Sequence, residues 1–292
     1  MSPNDLHDDD ELLDFSDPQQ RPRFASIPTF FRAPLCEDPA SLPEGERPTI
    51  GVVGVPYDGG VTNRPGTRHG PREVRNQSTL IRRMNQATGA RPFETERVMD
   101  LGDVLVAKPF ELLGAHKEIE AAYAGVHALG IRPLSCGGDH SIALPILRAI
   151  AKDRPVALVQ IDAHADTGGN YLGSRFHHGA PFRAAVEEGL IDPKRSAQIG
   201  IRGSLFDPNM WAFSHETGMR VAYIEEVEER GWRAVMEDAL AQAGEGPVYV
   251  SVDIDSLDPA FAPGTGTPEA GGLTMRELMG MIRMLAPLDI VG

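Results

Sequence analysis

The segment Val156-Ala-Leu-Val-Gln-Ile161, followed directly by Asp162-Ala-His-Ala-Asp166, decides the fold. An apolar run of this length is typical of a strand buried on both faces of a parallel sheet. The side chains of Asp162, His164 and Asp166 come straight after it, so we expect them at the carboxyl end of that strand. In open α/β sheets, this end is where binding and catalytic sites form.

Two other segments repeat the pattern of an apolar strand that ends in residues able to bind metal. Leu134-Ser-Cys-Gly-Gly-Asp-His140 ends in a histidine, and Tyr249-Val-Ser-Val-Asp-Ile-Asp255 ends in the pair Asp253 and Asp255. Buried carboxylates and imidazoles are costly unless a cation or a hydrogen bond compensates them. Such a set exceeds the ligands of one catalytic zinc and suits two hard divalent ions such as Mn²⁺. The alternative is that each group is a helix cap or a satisfied core residue, which requires the same coincidence at every one of these strand ends.

Strands and helices alternate along the rest of the chain, which favours one parallel sheet covered by helices on both faces. No repeat or interior linker divides the pattern, so residues 23–292 are predicted to form a single domain. Residues 1–22 are acidic and poor in apolar side chains, and are expected to be a flexible arm. Because the chain stops within an apparent strand, we expect that the domain lacks its C-terminal end.

The predicted strands are Thr49–Val55, Val98–Leu101, Arg132–Cys136, Val156–Ile161, Ala197–Ile201, Val221–Ile224, Val248–Val252 and the start of one at Leu288–Gly292. The predicted helices are about Arg72–Asn85, Phe110–Leu129, Ser141–Ala151, Ala180–Gly189, Pro208–Thr217, Gly231–Ala243 and Met275–Leu285.

Composition restricts the partners and the compartment. The chain has 292 residues, 41% of them hydrophobic, which is enough for a large core. Lys plus Arg number 28 against 42 Asp plus Glu, a formal charge of −14 that disfavours nucleic acid and anionic membranes and suits cationic ligands. Two cysteines, Cys36 and Cys136, cannot form a disulfide framework. With no apolar run that could span a membrane and no signal peptide, a cytoplasmic location is expected.

Two loops next to the strand ends carry further candidate residues. His177-His178-Gly179 follows Asp166, and one of these histidines could transfer protons, although surface histidines are common. Gly264-Thr-Gly-Thr-Pro268 follows Asp255 and either permits a close backbone approach or forms an ordinary tight turn. The sequence contains no Walker loop, Rossmann glycine fingerprint or serine nucleophile elbow.

Three motifs together resemble those of the ureohydrolase family, which comprises arginases, agmatinases and guanidino-acid hydrolases. They are Gly137-Gly-Asp-His140, Asp162-Ala-His-Ala-Asp166 and Ser251-Val-Asp-Ile-Asp255, and the resemblance extends over nearly the whole chain from Arg23. It implies an arginase-like three-layer α/β/α fold with an eight-stranded parallel sheet. It also implies two divalent metal ions, manganese or alternatively nickel, and hydrolysis of a guanidino group to urea and an amine. Homotrimers or homohexamers are expected from the family.

The resemblance further implies a role for each residue of the site. Asp166 is expected to orient the attacking water as well as to bind metal, and His178 corresponds to the family's loop histidine. The glutamate that binds the guanidinium in this family is expected beyond Gly292. The implied ligands are His140, Asp162, Asp166 and Asp253 for one ion and Asp162, His164, Asp253 and Asp255 for the other, so that Asp162 and Asp253 bridge.

The loop after the second motif bears on the substrate. Arginases have an asparagine there that helps to bind the α-carboxylate, whereas this chain has Gly168, so arginine is disfavoured. The segments Ile27–Arg32 and Thr62–Arg75 resemble the agmatinase branch, and within it the guanidinopropionate and guanidinobutyrate hydrolases. Asn170 and His177 are predicted to contact the substrate. Since the branch usually has small or hydroxyl residues where His177 stands, nickel-dependent hydrolysis of guanidine or a biguanide stays an alternative.

Two interpretations come from other functional classes. A non-catalytic partner subunit of a hetero-oligomer is expected to lose metal ligands, and this chain retains all of those implied. The distantly related metal-dependent deacetylases share the fold but generally bind one zinc with fewer of these ligands. The pair Asp253 and Asp255, together with His140, argues against that class.

Overall fold

The structure is a computed structural model that describes Asp14 and residues 16–292. Most of the predicted N-terminal arm, residues 1–13 and 15, therefore lies outside the described residues. At its described end, the Gln19 side chain donates hydrogen bonds to the carbonyls of Phe31 and Arg32 at 2.6 and 3.0 Å. The proposed boundary between an arm and one domain stays a prediction.

The predicted α/β architecture is confirmed, with parallel pairing throughout the described strands. These strands form two hydrogen-bonded groups, of order β2-β1-β3 and β6-β5-β4-β7-β8. Within the described residues the two groups share no strand pairing, so a continuous eight-stranded sheet stays a prediction. The strands are β1 Ile50–Val55, β2 Val98–Asp103, β3 Arg132–Gly137, β4 Ala157–Ile161, β5 Ala197–Ile201, β6 Arg220–Tyr223, β7 Pro247–Val252 and β8 Asp289–Ile290.

Helices cover both faces of the strands, as strand β4 demonstrates. Successive side chains of a strand point to opposite faces. Leu158 packs in a cluster with Ile119, whereas Val159 packs in a different cluster with Met236. The helices are α1 Gly70–Ser78, α2 Pro92–Thr95, α3 Leu112–Ala128, α4 Ala143–Ile150, α5 Pro181–Glu187, α6 Ala212–Thr217, α7 Ile224–Arg230, α8 Trp232–Ala243 and α9 Met275–Met284. None of the helices in the described part of the chain combines the length and apolar character needed to cross a bilayer.

Helix α1 is shorter than predicted and ends at Ser78 instead of Asn85. Leu80 and Ile81 are exposed, so continuing the helix would bury no apolar surface there. The Asn85 side chain instead accepts hydrogen bonds from the amides two and three residues further on. This local turn competes with a helix and stabilises the loop.

Helix α7 is absent from the sequence prediction, which assigned Ile224 to a strand. The helix begins directly after β6, with Glu225 and Glu226 in its first turn, where carboxylates favour the helix dipole. Val227 is its one buried residue, so the apolar periodicity is too weak to identify it. Gly231, at φ 79°, separates it from α8.

Candidate metal centre

The carboxyl ends of β3, β4 and β7 bring the three motifs together. Strands β4 and β7 are neighbours in parallel register, with Ile161 opposite Val252. The Asp253 amide donates to the Ile161 carbonyl at 3.0 Å, which continues this pairing past the strand ends. The residues that follow β4 and β7 therefore start side by side at one edge of the sheet.

His140 faces three carboxylates. Its Nδ1 atom lies 2.7 Å from Asp166 Oδ2 and 3.2 Å from Asp162 Oδ2. It also lies 3.3 Å from Asp253 Oδ2. The other ring nitrogen, Nε2, is 2.6 Å from Ser251 Oγ. Among the described residues, no group hydrogen-bonds the buried Nδ1 atom with suitable geometry, as expected for a ligand atom directed at a cation.

His164 lies on the other side of Asp162. Its Nδ1 atom is 3.2 Å from Asp255 Oδ2 and 3.7 Å from Asp162 Oδ1. The two oxygens of Asp162 thus face different histidines. Thr267 donates a hydrogen bond to Asp255 at 3.3 Å, and the outer nitrogen Nε2 of His164 is 3.8 Å from Glu269 Oε1. Two groups of potential ligands, His140 with Asp162 and Asp253, and Asp162 with His164 and Asp255, lie within reach of a metal ion.

Buried amides hold the central motif in shape. The Gln160 side chain donates to Asp162 Oδ2 at 2.7 Å and to the His164 carbonyl at 2.9 Å. Gln198 donates to Gln160 at 2.6 Å from the neighbouring strand. Asp166 has φ 50°, a conformation uncommon for a residue other than glycine. This network fixes the direction of the Asp162 carboxylate before any ion binds.

A tight turn presents His140. Gly138 has φ 53°, and a Cβ atom there would lie 2.4 Å from the Tyr57 carbonyl oxygen, so glycine is required. The Asp139 carboxylate accepts hydrogen bonds from the amide two residues on, at 2.8 Å, and from Gly60, at 2.7 Å. Asp139 is therefore a cap that fixes the turn.

The electrostatics of the cluster favour a cation. Burial lowers the pKa of His164, but the hydrogen bond to Asp255 and the nearby carboxylates outweigh it and raise the pKa to about 10. Burial also lowers the pKa of His140, but the neighbouring carboxylates, Asp162 first, outweigh it and raise the pKa well above the ordinary value. Burial and the neighbouring carboxylates raise the pKa of Asp162, whereas the pKa of Asp253 falls to about 2 because His140 overcomes its burial. The carboxylates therefore favour positive charge at both histidines, which is the charge that divalent cations would supply.

His178 lies on the loop between Asp166 and α5, outside the two ligand groups. Its Nε2 atom is 2.6 Å from Thr62 Oγ1, and its amide donates to the Gly60 carbonyl at 2.9 Å. The Phe182 amide donates to the Asp166 carbonyl at 3.2 Å, which connects the end of the loop to the Asp162–Asp166 motif. The segment after β1 therefore holds both the backbone and the ring of His178.

His177 and Asn170 belong to the same loop. The Nδ1 atom of His177 accepts from the Gly179 amide at 3.2 Å, so Nε2 carries the proton and donates to the Gly169 carbonyl at 3.0 Å. Both ring nitrogens thus shape the loop. Asn170 is exposed at its surface. The substrate contacts of these two residues stay predictions.

Several residues of the site escaped the sequence analysis, most of them because their partners are distant in the chain. Ser251 had a usable signal, since it stands two residues before Asp253 and alternation along a strand places both on one face. Gln160 had the same signal, since it stands two residues before Asp162. The remaining residues had none. Buried Arg202 joins two loops by donating to the carbonyls of Asp255 and Glu269, each at 2.7 Å. The residues missed are Thr62, Gln160, Gln198, Arg202, Ser251 and Glu269, whereas Thr267 lies in the Gly264–Pro268 loop that the sequence singled out without a role for this residue.

Known proteins are similar to this chain in sequence and fold. Residues 48–292 match the family model described as Arginase family. The chain is 51% identical to guanidinopropionase of Pseudomonas aeruginosa over 277 residues, covering 94% of this chain and 85% of that protein. It is 46% identical to guanidinobutyrase of the same species, covering 94% and 85%. Among solved structures, proclavaminate amidino hydrolase of Streptomyces clavuligerus superposes with a TM-score of 0.86 at 40% identity, covering 93% of this chain and 88% of that chain.

Proposed function

The chain belongs to the arginase family, and on that premise we propose that it hydrolyses the guanidino group of a small guanidino acid to urea and an amine. 3-Guanidinopropionate is the first candidate substrate. The observation that carries the proposal is the convergence of imidazoles and carboxylates at three strand ends, with Asp162 between two histidines. The proposed ligands are His140, Asp162, His164, Asp166, Asp253 and Asp255.

Two divalent ions are proposed to bind this set, with Mn²⁺ preferred. The buried Nδ1 atom of His140, directed at carboxylates but without a hydrogen bond among the described residues, supports metal binding. The carboxylate oxygens that predominate in this donor set suit Mn²⁺. Two metal ions bound there would supply Lewis acidity and would lower the pKa of a coordinated water.

The side chains around the cluster are proposed to handle the substrate and its protons. Asp166, 2.7 Å from His140 Nδ1, orients the attacking water and accepts its proton. Water adds its oxygen to the guanidino carbon, and the bond from that carbon to the alkyl nitrogen breaks. His178, held by Thr62, carries the second proton of the water and Asp166 releases the first, so that the departing nitrogen gains both and leaves as an alkylammonium ion beside neutral urea. The formal charge of −14 of the whole chain favours the approach of the cationic guanidino group.

The loop after Asp166 supports a substrate other than arginine. The Gly168 amide donates to the Gly179 carbonyl at 2.9 Å, and a Cβ atom at Gly168 would lie 2.7 Å from that oxygen. A side chain at this position, such as the asparagine of arginases, requires the loop to move. The similarity to guanidinopropionase and guanidinobutyrase supports guanidino acids, with the three-carbon acid first.

Urea release from a panel of compounds tests the proposal. The panel is 3-guanidinopropionate, 4-guanidinobutyrate, agmatine, guanidine and a biguanide, each with Mn²⁺ or Ni²⁺. We expect the highest kcat/KM with 3-guanidinopropionate and Mn²⁺. Urea release from none of them would overturn the hydrolase proposal, and a preference for guanidine or a biguanide with Ni²⁺ would overturn the substrate and the metal.

A pair of histidine variants controls that experiment. His164→Ala should lose at least about 10³-fold in kcat/KM, because a catalytic metal contributes several kcal/mol to the barrier. His127→Ala, at an exposed position of α3, should retain wild-type activity. Equal activity of the two variants would contradict the assignment of His164.

Assembly and location stay predictions from the family resemblance. These are a homotrimer or homohexamer, with a hetero-oligomer as the alternative, in the cytoplasm and without nucleic acid or membrane partners. Light scattering on the purified protein measures the number of chains directly.

A further inference from the structure

The carboxylate of Glu269 faces the side of His164 that points away from the proposed ions. We propose that Glu269 is a positioning residue that holds the His164 ring for metal binding. This inference rests on the proposed metal centre and adds a residue to it. Three independent features of the structure support it.

The first feature is the geometry of the imidazole. His164 Nδ1 faces Asp162 and Asp255, whereas Nε2, on the far side of the ring, is 3.8 Å from Glu269 Oε1. When an ion replaces the proton on Nδ1, the Glu269 carboxylate favours the tautomer that keeps the proton on Nε2. The lone pair of Nδ1 is then free to face a cation. Carboxylate partners of this kind orient metal-binding histidines and raise their basicity.

The second feature is a space left for the carboxylate. Gly203 follows β5 and has φ 94°. A Cβ atom at Gly203 would lie 2.7 Å from the Glu269 carboxyl carbon and 2.9 Å from each of its oxygens. The glutamate head group therefore packs directly against the backbone of Gly203, where any larger residue would displace it from His164.

The third feature is the anchoring of the Glu269 backbone. Arg202 is 6% exposed, and its guanidinium donates to the Glu269 carbonyl at 2.7 Å. The same guanidinium donates to the carbonyls of Asp255, at 2.7 Å, and Ser256, at 3.2 Å. One buried cation thus connects the segment carrying Glu269 to the segment carrying Asp255, which faces His164 Nδ1. The two carboxylates on either side of the imidazole are held as one unit.

A different role for Glu269 is to bind the cationic substrate, and its amide variant separates the two roles. Glu269→Gln keeps an oxygen that can accept from Nε2–H but removes the charge. A positioning role predicts that this variant loses less metal affinity than Glu269→Ala. A substrate-binding role predicts that Glu269→Gln raises KM and leaves metal affinity unchanged.

The test is titration of the ion-free protein with Mn²⁺ against a chelator, without substrate. We expect the wild type to bind two ions, and Glu269→Ala to bind one of them about 10- to 100-fold more weakly with the other unchanged. Glu269→Asp, which keeps a shorter carboxylate, should lie between the wild type and the alanine variant. Glu237→Ala, at an exposed position of α8, is the matched control and should bind like the wild type.

The outcomes separate the inference from its premise. Two ions bound with wild-type affinity by Glu269→Ala would overturn the positioning role and leave the metal centre intact. Fewer than two ions bound by the wild type would overturn the metal centre, and the inference with it. If Glu269→Ala does not fold, the other two variants decide. The positioning role is overturned if Glu269→Asp and Glu269→Gln both bind Mn²⁺ with wild-type affinity and only Glu269→Gln has a raised KM.

Discussion

The half of the centre around His140 and the half around His164 differ in what supports the histidine. The His140 side chain is 9% exposed, with three carboxylates within 3.3 Å and Ser251 of strand β7 on its outer nitrogen at 2.6 Å. The His164 side chain is 22% exposed, with carboxylates at 3.2 and 3.7 Å on one side and Glu269, from a loop, at 3.8 Å on the other. The outer nitrogen of the first histidine faces a strand residue, whereas that of the second faces a loop residue. We therefore expect the ion beside His164 to bind more weakly.

The largest effect is expected where the halves meet. Asp162→Asn removes the charge that faces both histidines, so both ions should be lost and kcat/KM should fall at least about 10³-fold. Metal content per chain and urea release measure this. Asp153→Asn, at an exposed position, should change neither. Retention of both ions by Asp162→Asn would contradict a shared ligand.

A smaller effect is expected from the outer partner of the first half. Ser251→Ala leaves the Nε2 atom of His140 without its hydrogen bond and should weaken one ion about 10- to 100-fold. In the double variant with Glu269→Ala, each ion should lose the same affinity as in the corresponding single variant, since the two substitutions act on different histidines. Chelator competition measures both affinities, with exposed Ser204→Ala as the control. If Ser251→Ala and Glu269→Ala weaken the same ion, the division into halves is wrong.

Buried His116, outside the cluster, provides the contrast to the two histidines that face carboxylates. Burial, followed by the nearby Arg148, lowers the pKa of His116 to about 4, whereas the carboxylates around His140 raise its pKa. An unfolded histidine titrates near 6.5. As the pH falls from 7 to 5, the unfolded chain gains a proton that folded His116 excludes, so the free energy of unfolding should fall by about 2 kcal/mol from this residue.

His116→Phe removes this contribution and keeps a ring against Phe176. Denaturant unfolding at pH 7 and pH 5 should therefore show a weaker pH dependence in the variant, with urea release at pH 7 unchanged. An identical pH dependence in the two proteins would mean that His116 is not excluded from protonation by the fold.

The smallest effect is expected outside both halves. Thr62→Val removes the hydrogen bond to His178, so kcat should fall by about fivefold, as for the loss of about 1 kcal/mol, with metal content unchanged. Thr62→Ser, which keeps the hydroxyl, should restore most of kcat. A loss of metal in Thr62→Val would assign Thr62 to the support of the cluster instead of His178.

The sequence predicts the groups at the strand ends better than the groups that support them. Asp162, His164 and Asp253 follow apolar strands, and parallel strands bring their carboxyl ends to one edge whatever the loops do. Glu269 and Thr62 reach the site through irregular loops, whose paths depend on contacts such as those of Arg202 and leave no periodic signal. Helix α7 was missed for a related reason. With Val227 as its one buried residue, it carries no periodic signal either.

Anomalous diffraction from crystals grown with Mn²⁺ would locate the two proposed ions. We expect two manganese peaks roughly 3.5–4 Å apart, one beside His140 Nδ1 and one beside His164 Nδ1, with Asp162 between them. A single peak, or none at this edge of the sheet, would contradict this expectation.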